Sequence, residues 1–185
     1  MRSTKRVCGY LLGVVMVLSM AGCFSCKSKM KRFNIQVSLA QDPYLADREV
    51  TVDLVGVSRS DKEKWETKSI NAYWIEEDGF RGSYDSILYK IDFPPGTEDR
   101  ERFIGSKDDI WNTWEENGAW HLFVLAYIAN TDDEDVHVDL PGAADPWRAI
   151  LPLDQCWWDS GTNTIKIIVR PKVVSVLTSP LSEKR

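Results

Sequence analysis

Short segments in which apolar and polar residues alternate recur along most of this chain, and they constrain its fold more than any other feature. The first runs from Phe33 to Leu39, and the second covers Val50, Val52 and Leu54. Alternation with a period of two is typical of a β-strand that buries one face and exposes the other. The pattern therefore predicts a core built between strands.

Further segments of the same kind continue this pattern toward the C terminus. They are Ile87–Phe93, Trp120–Ala129, Trp147–Leu153, Ile165–Val169 and Val173–Leu177. Trp120–Ala129 is apolar on both faces, which is typical of a central strand covered from two sides. Short strands separated by proline and glycine turns favour an antiparallel β-sandwich over a parallel sheet with crossover helices.

Two serine-led capping patterns predict short helices that interrupt the strands, at 60–68 and at 106–117. In the second helix Trp111 and Trp114 share one face, and this face is predicted to pack on the sandwich. Gly118 follows at the position where glycine commonly ends a helix. The sequence thus predicts a mainly β domain with two short helices in its connections.

Residues 1–22 have the features of a lipoprotein signal peptide. Basic residues precede an apolar run, Tyr10–Met20, which is too short to cross a bilayer. Ala21 and Gly22 then precede Cys23, whose thiol is expected to carry the lipid in the mature protein. Phe24 replaces the aspartate that would retain a lipoprotein at the inner membrane, so we expect an outer-membrane lipoprotein facing the periplasm. The alternative is an ordinary signal peptide that ends near a cysteine.

Charge is distributed unevenly between the N-terminal segment and the rest of the chain. Residues 23–32 carry the basic side chains Lys27, Lys29, Lys31 and Arg32 and no acidic one. Seven of the 23 basic residues precede Phe33, so 16 basic residues face 28 acidic ones in the remainder, a net charge of −12. We expect a lipidated tether at 23–32, suited to anionic headgroups or simply solvated, that lets an acidic body stand off the membrane. The acidic balance excludes a nucleic-acid partner.

The predicted domain organisation follows from these assignments. The signal peptide covers 1–22, the tether 23–32, the sandwich domain 33–178 and a C-terminal tail 179–185. Cys8 leaves with the signal peptide, and lipidation uses the sulfur of Cys23. Cys26 and Cys156 are then the candidates for a disulfide, which would attach the tether to the body in an oxidising compartment.

Eight tryptophans are present, and two interpretations of them stay open. Most are predicted to be core residues, as Trp111 and Trp114 illustrate. Adjacent residues on an extended chain face opposite sides, so one of Trp157 and Trp158 is a candidate for an exposed, glycan-binding aromatic. This is the alternative function for the chain: an envelope lipoprotein that binds glycan or another ligand.

No catalytic, metal or cofactor site is predicted. The acidic run 132–135, with Asp139 nearby, lacks the spacing of a calcium loop and is better interpreted as a solvated loop. His121 and His137 neighbour no nucleophile motif, and no phosphate-binding glycine loop or metalloprotease motif occurs. A lipoprotein hydrolase is therefore the least favoured class.

Three stretches together resemble a known family: Leu122–Ile128, Trp147–Leu153 and Thr164–Val169, with the Pro95-Gly96 turn before the long strand. With the lipoprotein signal, they resemble the outer-membrane lipoproteins of the type VI secretion system. The resemblance implies a transthyretin-like or immunoglobulin-like β-sandwich. The connections at 69–86, 106–117 and 130–140 are longer than the family's usual ones. An uncharacterised lipoprotein family with the same fold is therefore the alternative.

The resemblance also implies a role. Lipoproteins of that family are non-enzymatic scaffolds, and their first inter-strand loop receives the periplasmic domain of a large inner-membrane subunit. Carried over by position, this loop is 41–47, with Asp42, Pro43, Tyr44 and Leu45 as the partner-binding residues. Pro43 restricts the loop, and Tyr44 with Leu45 offers an amphipathic anchor. The alternative is that Tyr44 folds back as a lid on the core.

Overall fold

The computed structural model describes residues 26–75, 79–129 and 144–182. The predicted signal peptide, Cys23, the acidic run and His137 lie outside the described residues. The strands within them are β1 (Asn34–Leu39), β2 (Val50–Ser58), β3 (Leu88–Phe93), β4 (Glu101–Ile104), β5 (Ala119–Ile128), β6 (Arg148–Pro152), β7 (Thr164–Arg170) and β8 (Val173–Val176). The α-helices are α1 (Pro43–Ala46), α2 (Lys62–Thr67), α3 (Ile70–Ile75) and α4 (Ile110–Glu116). Among these described helices, none has the length and apolarity needed to cross a bilayer.

Two four-stranded sheets form the predicted β-sandwich. One sheet has the order β4-β1-β7-β8, and the other has the order β3-β2-β5-β6. In the second sheet every neighbouring pair is antiparallel. The mainly β fold predicted from alternation is therefore confirmed.

One strand pair differs from the antiparallel prediction. β1 is parallel to β7, with Ile35 opposite Ile165 and Val37 opposite Ile167. A parallel pair requires a long connection, and here most of the domain lies between the two strands in sequence. Alternation is the same in either direction along a strand, so the pattern that predicts these strands carries no information about their relative direction.

Three short elements have no clear sequence signal. β4 has four residues, two of them charged, and lies at a sheet edge. α1 lies in the segment predicted as a loop, and α3 lies in the long connection at 69–86. Elements of four to six residues contain too few positions for a helical or strand periodicity to appear.

The space between the sheets is filled by side chains of both inner faces. Those that lie there on the four central strands are Ile35, Val37 and Leu39 of β1, Val52 and Leu54 of β2, Leu122 and Val124 of β5, and Ile165, Ile167 and Val169 of β7. Each such side chain contributes roughly 1.5–3 kcal/mol when it is fully buried. The outer face of β2 is buried as well, and so are Phe123 and Leu125 on the outer face of β5, which confirms that the middle of β5 is covered from two sides.

An aromatic layer covers the outer face of the second sheet. Trp65 of α2 lies at its centre, 5.8 Å between ring centroids from Phe123 of β5. The rings of Phe80 and Tyr84 each lie 4.9 Å from Trp65 in edge-on arrangements, and Tyr73 of α3 lies 5.9 Å away. These contacts hold α2, α3 and the 3-10 segment Gly82–Ile87 against the sheet.

A buried carboxylate fixes the same layer. Asp53 of β2 has no exposed surface, and its Oδ2 accepts hydrogen bonds from Arg81 Nε and Tyr73 Oη, each at 2.7 Å. Arg81 Nη2 also donates to Oδ1 at 3.3 Å. Burial, followed by the charge of Asp53, raises the pKa of Tyr73, so its phenol stays protonated as a donor.

Helix α4 packs its tryptophans into the sandwich, as predicted. Trp111 and Trp114 are both fully buried, with ring centroids 4.9 Å apart, and Trp114 Nε1 donates to the carbonyl of Ile87 at 2.7 Å. Trp114 lies directly against Gly56, where a Cβ would approach its Cδ1 to 2.6 Å. Gly118 ends the helix region with φ of +66°.

Neither predicted capping box forms. Asp61, not Ser60, precedes α2, and Ser60 Oγ lies instead 2.8 Å from Ser58 Oγ. Asp109 precedes α4 without a side-chain capping bond. Serine and aspartate side chains form hydrogen bonds with several kinds of nearby groups in turns. Their presence therefore indicates a connection between elements, but it does not identify the residue that caps the helix.

Candidate functional site

Strand β1 joins the two regions that the sequence singles out. Its first residue, Asn34, follows the predicted tether, and its last residue, Leu39, leads into the predicted partner loop at 41–47. Six strand residues span about 20 Å. We call the end of the sandwich at Asn34 the strap end, after the N-terminal segment described next, and the end at Leu39 the loop end.

Residues 26–32, which we call the strap, are attached to the body. Cys26 and Cys156 form a disulfide with their Cα atoms 5.5 Å apart. Cys156 is fully buried in the 3-10 turn Gln155–Trp157. The bond links positions separated by 130 residues, so it connects the N-terminal segment with the connection between β6 and β7.

Backbone hydrogen bonds hold the strap along its length. Lys31 N donates to the carbonyl of Leu153 at 2.7 Å, and Gln155 N donates to the carbonyl of Lys29 at 2.9 Å. Gln155 Nε2 donates to the carbonyl of Lys27 at 2.6 Å. The segment predicted as a free tether therefore lies on the sandwich from residue 26 onward.

The basic residues of the strap divide into two pairs. Lys31 donates to the carbonyl of Thr162, and burial lowers its pKa. Arg32 forms an ion pair with Glu115 of α4, and this hydrogen bond lowers the pKa of Glu115. Lys27 and Lys29 are exposed.

The loop end is built around α1. Asp42 precedes this helix, and its carboxylate accepts a hydrogen bond from Tyr44 N at 2.8 Å. Pro43 occupies the first helical position, where its missing N–H costs nothing and its fixed φ suits the helix. Pro43 is exposed and Asp42 is half-buried. The predicted loop is thus an ordered turn with a defined outward face.

Tyr44 and Leu45 have different roles in that turn. Leu45 is only 2% exposed and belongs to the core, so the prediction that it offers surface to a partner needs correction: it fastens the loop to the sandwich. Tyr44 is half-buried and packs at the margin of the core. The guanidinium carbon of Arg48 lies 4.1 Å from the centroid of the Tyr44 ring. Tyr44 therefore combines core contact with exposed surface.

A second loop supports the first. Gly96 N donates to the carbonyl of Ala46 at 2.7 Å, from a residue with φ of +70°. Arg100 Nη1 donates to the carbonyl of Ala40 at 2.8 Å, and Leu39 N donates to the carbonyl of Arg100 at 3.0 Å. The connection between β3 and β4 thus holds both sides of the partner loop, a contribution that the sequence pattern did not indicate.

The surface beside these loops is acidic with one large apolar side chain. A shallow depression there is lined by Leu39, Gln41, Glu98, Asp99, Arg100, Glu101 and Phe103. Phe103 of β4 is 65% exposed. Asp99 forms an exposed ion pair with Arg102 at 2.7 Å. The loop end therefore offers carboxylates and an aromatic ring around an ordered turn.

The other sequence candidates do not converge on a site. Within the described ranges, no three His, Cys, Asp or Glu side chains are placed to hold a metal ion. His121 of β5 is half-buried, and burial lowers its pKa. Trp158 is 2% exposed, packs against Phe33 with the two rings tilted, and donates from Nε1 to the carbonyl of Pro152. Trp158 is therefore not available to bind a glycan. Trp157 is half-buried.

The remaining tryptophans follow the core interpretation in most cases. Trp65, Trp111 and Trp114 are fully buried, and Trp147 is 5% exposed. Trp74 and Trp120 are half-buried, and the guanidinium carbon of Arg59 lies 3.8 Å from the Trp120 ring. Tyr127 of β5 is 38% exposed, and its ring centroid lies 5.5 Å from that of Trp74.

No protein-family model matches this chain, and no curated protein matches it. Several solved structures do resemble it. One is Lip of Serratia marcescens, a membrane-bound component of the type VI secretion system, with 14% identity, a TM-score of 0.48 and coverage of 82% of this chain and 99% of that chain. Another is the lipoprotein TssJ1 of Pseudomonas aeruginosa, with 15% identity, a TM-score of 0.46 and coverage of 82% and 98%. A third is described as a type VI membrane complex, with 13% identity, a TM-score of 0.49 and coverage of 80% and 99%.

The chain has structural neighbours among the type VI secretion lipoproteins. At these identities and TM-scores the likeness supports no statement about the residues of the strap end or the loop end.

Proposed function

We propose that this protein is a non-enzymatic scaffold of a type VI secretion envelope complex. A lipid on Cys23 holds it at the outer membrane, and its loop end binds the periplasmic domain of an inner-membrane subunit. The observation that carries this proposal is the placement of the strap and the partner loop at opposite ends of β1. A body arranged in this way directs its loops away from the membrane that holds its N terminus.

The order of the partner loop favours binding. Asp42 caps α1, Leu45 is buried, and Gly96 bonds to Ala46, so three separate contacts fix the backbone of the loop. A loop that is already ordered loses little conformational entropy when a partner binds. Tyr44 and Pro43 are the residues of the loop that combine apolar surface with this fixed geometry.

Charge defines the kind of partner surface that fits. Glu98, Asp99 and Glu101 lie beside the loop together with Arg100, and Asp99 pairs with Arg102, so Glu98 and Glu101 give this surface its excess of negative charge. A partner face with lysine or arginine side chains around an apolar centre would complement this arrangement. Charges at the rim of an interface chiefly raise the rate of association, whereas a central aromatic anchor governs the rate of dissociation.

The test is a titration of the purified chain in detergent with the periplasmic domain of the inner-membrane secretion subunit from the same organism. Tyr44→Ala is expected to weaken binding by about 30-fold, which corresponds to roughly 2 kcal/mol. Tyr89→Ala is the matched control, because Tyr89 is also half-buried but lies on β3, away from the loop end.

The two variants separate partner binding from folding. An equal loss of affinity in Tyr44→Ala and Tyr89→Ala would indicate a general effect on the sandwich. A thermal unfolding curve for each variant would reveal such an effect. Unchanged affinity in a well-folded Tyr44→Ala variant would refute the assignment of the partner loop. An interaction that does not occur even with the unsubstituted chain would refute the scaffold role.

A further inference from the structure

The disulfide leaves very little chain between the predicted lipid and the folded body. Phe24 and Ser25 are the residues between Cys23 and Cys26. Three steps of 3.8 Å between consecutive Cα atoms span at most about 11 Å. Cys26 is bonded to the buried Cys156. If Cys23 carries the lipid, the body cannot stand away from the bilayer as the tether prediction expects.

The strap beyond Cys26 does not lengthen the free chain between the lipid and the body. As a free chain, residues 26–32 would extend the reach by roughly 25 Å. The bonds of Lys31 N to Leu153, of Gln155 N to Lys29 and of Ser28 Oγ to Asp154 hold this segment on the sandwich. The strap end is therefore the part of the body that meets the headgroups.

The charge of the strap end matches an anionic surface. Lys27 and Lys29 are exposed there, while the rest of the chain from Phe33 carries a net charge of −12. Carboxylates at this end include Glu115, which pairs with Arg32, the exposed Asp159 and the buried Asp154, which accepts a hydrogen bond from Ser28 Oγ. The strap itself thus brings four basic side chains and no carboxylate to the end nearest the predicted lipid.

Apolar and aromatic residues accompany these lysines. Trp157 follows the disulfide-bonded Cys156 and is half-buried, and Leu181 N donates to its carbonyl at 2.7 Å. Leu177 follows β8 and is 56% exposed, and its N–H donates to the carbonyl of Lys166 in the half of β7 nearer to this end. Tryptophan with an apolar body and a polar N–H is enriched at the level of lipid headgroups.

We infer that the strap end is a membrane-docking surface, which rests on an anionic phospholipid bilayer and fixes the orientation of the body. The Cys26–Cys156 bond limits the distance between the body and the bilayer. Lys27 and Lys29 attract the lipid headgroups, and Trp157 and Leu177 contact the interface between bilayer and water. This inference rests on the lipid anchor of the proposed function. It adds that the anchor is rigid, so that the partner loop is presented at a defined distance from the membrane.

The test uses the full lipidated chain in bilayers with and without phosphatidylglycerol. Neutron reflectometry measures the gap between headgroups and protein, and hydrogen exchange measures the protection of residues 155–162. The expected result is a gap of no more than about 11 Å. Residues 155–162 should exchange more slowly on anionic bilayers than on neutral ones or in micelles.

Two variants test the contributions separately. Lys27→Glu with Lys29→Glu should abolish the difference between anionic and neutral bilayers. The two lysines together are worth about a 30-fold change in surface affinity. The matched control reverses two exposed lysines elsewhere, Lys90 on β3 and Lys172 between β7 and β8, and should keep the protection.

The outcomes distinguish this inference from the proposed function. An acylated chain whose body lies well beyond the expected gap, or whose strap end exchanges equally in micelles and on anionic bilayers, overturns the docking surface alone. Equal effects of the two double variants overturn it as well, because the strap lysines would then have no special role. A mass spectrum with no acyl group on Cys23 overturns both the anchor and this inference.

Discussion

Replacing Arg81 with methionine removes the positive charge that faces the fully buried carboxylate of Asp53. The two side chains are joined at 2.7 and 3.3 Å, and Arg81 is only 18% exposed, so solvent screens this pair little. Removing one partner of a buried pair typically costs about 3–5 kcal/mol, because the remaining charge is left uncompensated. For a domain of this size, that loss lowers the midpoint of thermal unfolding by roughly 6–20 °C.

The assay is urea unfolding of four chains, followed by circular dichroism: unsubstituted, Arg81→Met, Asp53→Leu and the double variant. Replacing both partners removes the uncompensated charge, so the double variant should be within about 1–2 kcal/mol of the unsubstituted chain. Tyr73→Phe should cost less than Arg81→Met, about 1.5–3 kcal/mol, because it removes one hydrogen bond to the carboxylate. A loss below about 1 kcal/mol in Arg81→Met would refute the reasoning that this pair fixes the helical layer.

Three further predictions concern other parts of the sandwich. Gly56→Ala should destabilise the fold by about 1–3 kcal/mol in urea unfolding, because the new Cβ meets Trp114; an unchanged midpoint would contradict the close packing. Burial lowers the pKa of His121, so its neutral form stabilises the fold above the usual pKa near 6.5, and stability falls as pH drops below that value. His121→Gln should remove this loss, which is at most about 1.4 kcal/mol at pH 5.5, and equal pH profiles would show that another group is responsible. Serine at both Cys26 and Cys156 should cost about 2–5 kcal/mol because the disulfide closes a very long loop, whereas equal urea midpoints would show that it adds no stability.

The strands were predictable because alternation reports burial directly. β1, β2 and β7 bury every second residue or more, and both faces of β5 are apolar, as their sequences indicate. The direction of β7 relative to β1 was not predictable, since a period of two is identical in both directions. β4 was not predicted because an exposed edge strand with charged residues lacks the apolar alternation that indicates the other strands.

The candidate site was predictable only in part, because its contacts join residues that are distant in sequence. Cysteine counting identified Cys26 and Cys156, but only three-dimensional structure reveals that the strap continues along the sandwich after the disulfide. Position alone indicated that 41–47 is a connection, whereas the burial of Leu45 depends on packing against distant strands. The support from Gly96 joins two loops that are about fifty residues apart, and no local pattern encodes such a contact.

Photo-crosslinking in the living cell tests most directly whether the body connects two membranes through its opposite ends. A photo-reactive amino acid at position 44 lies at the loop end, and one at position 160 lies at the strap end. We expect position 44 to crosslink to a large inner-membrane protein, whereas position 160 should crosslink to lipid and not to that protein. The same inner-membrane protein captured from both positions, or from position 160 alone, would contradict this expectation.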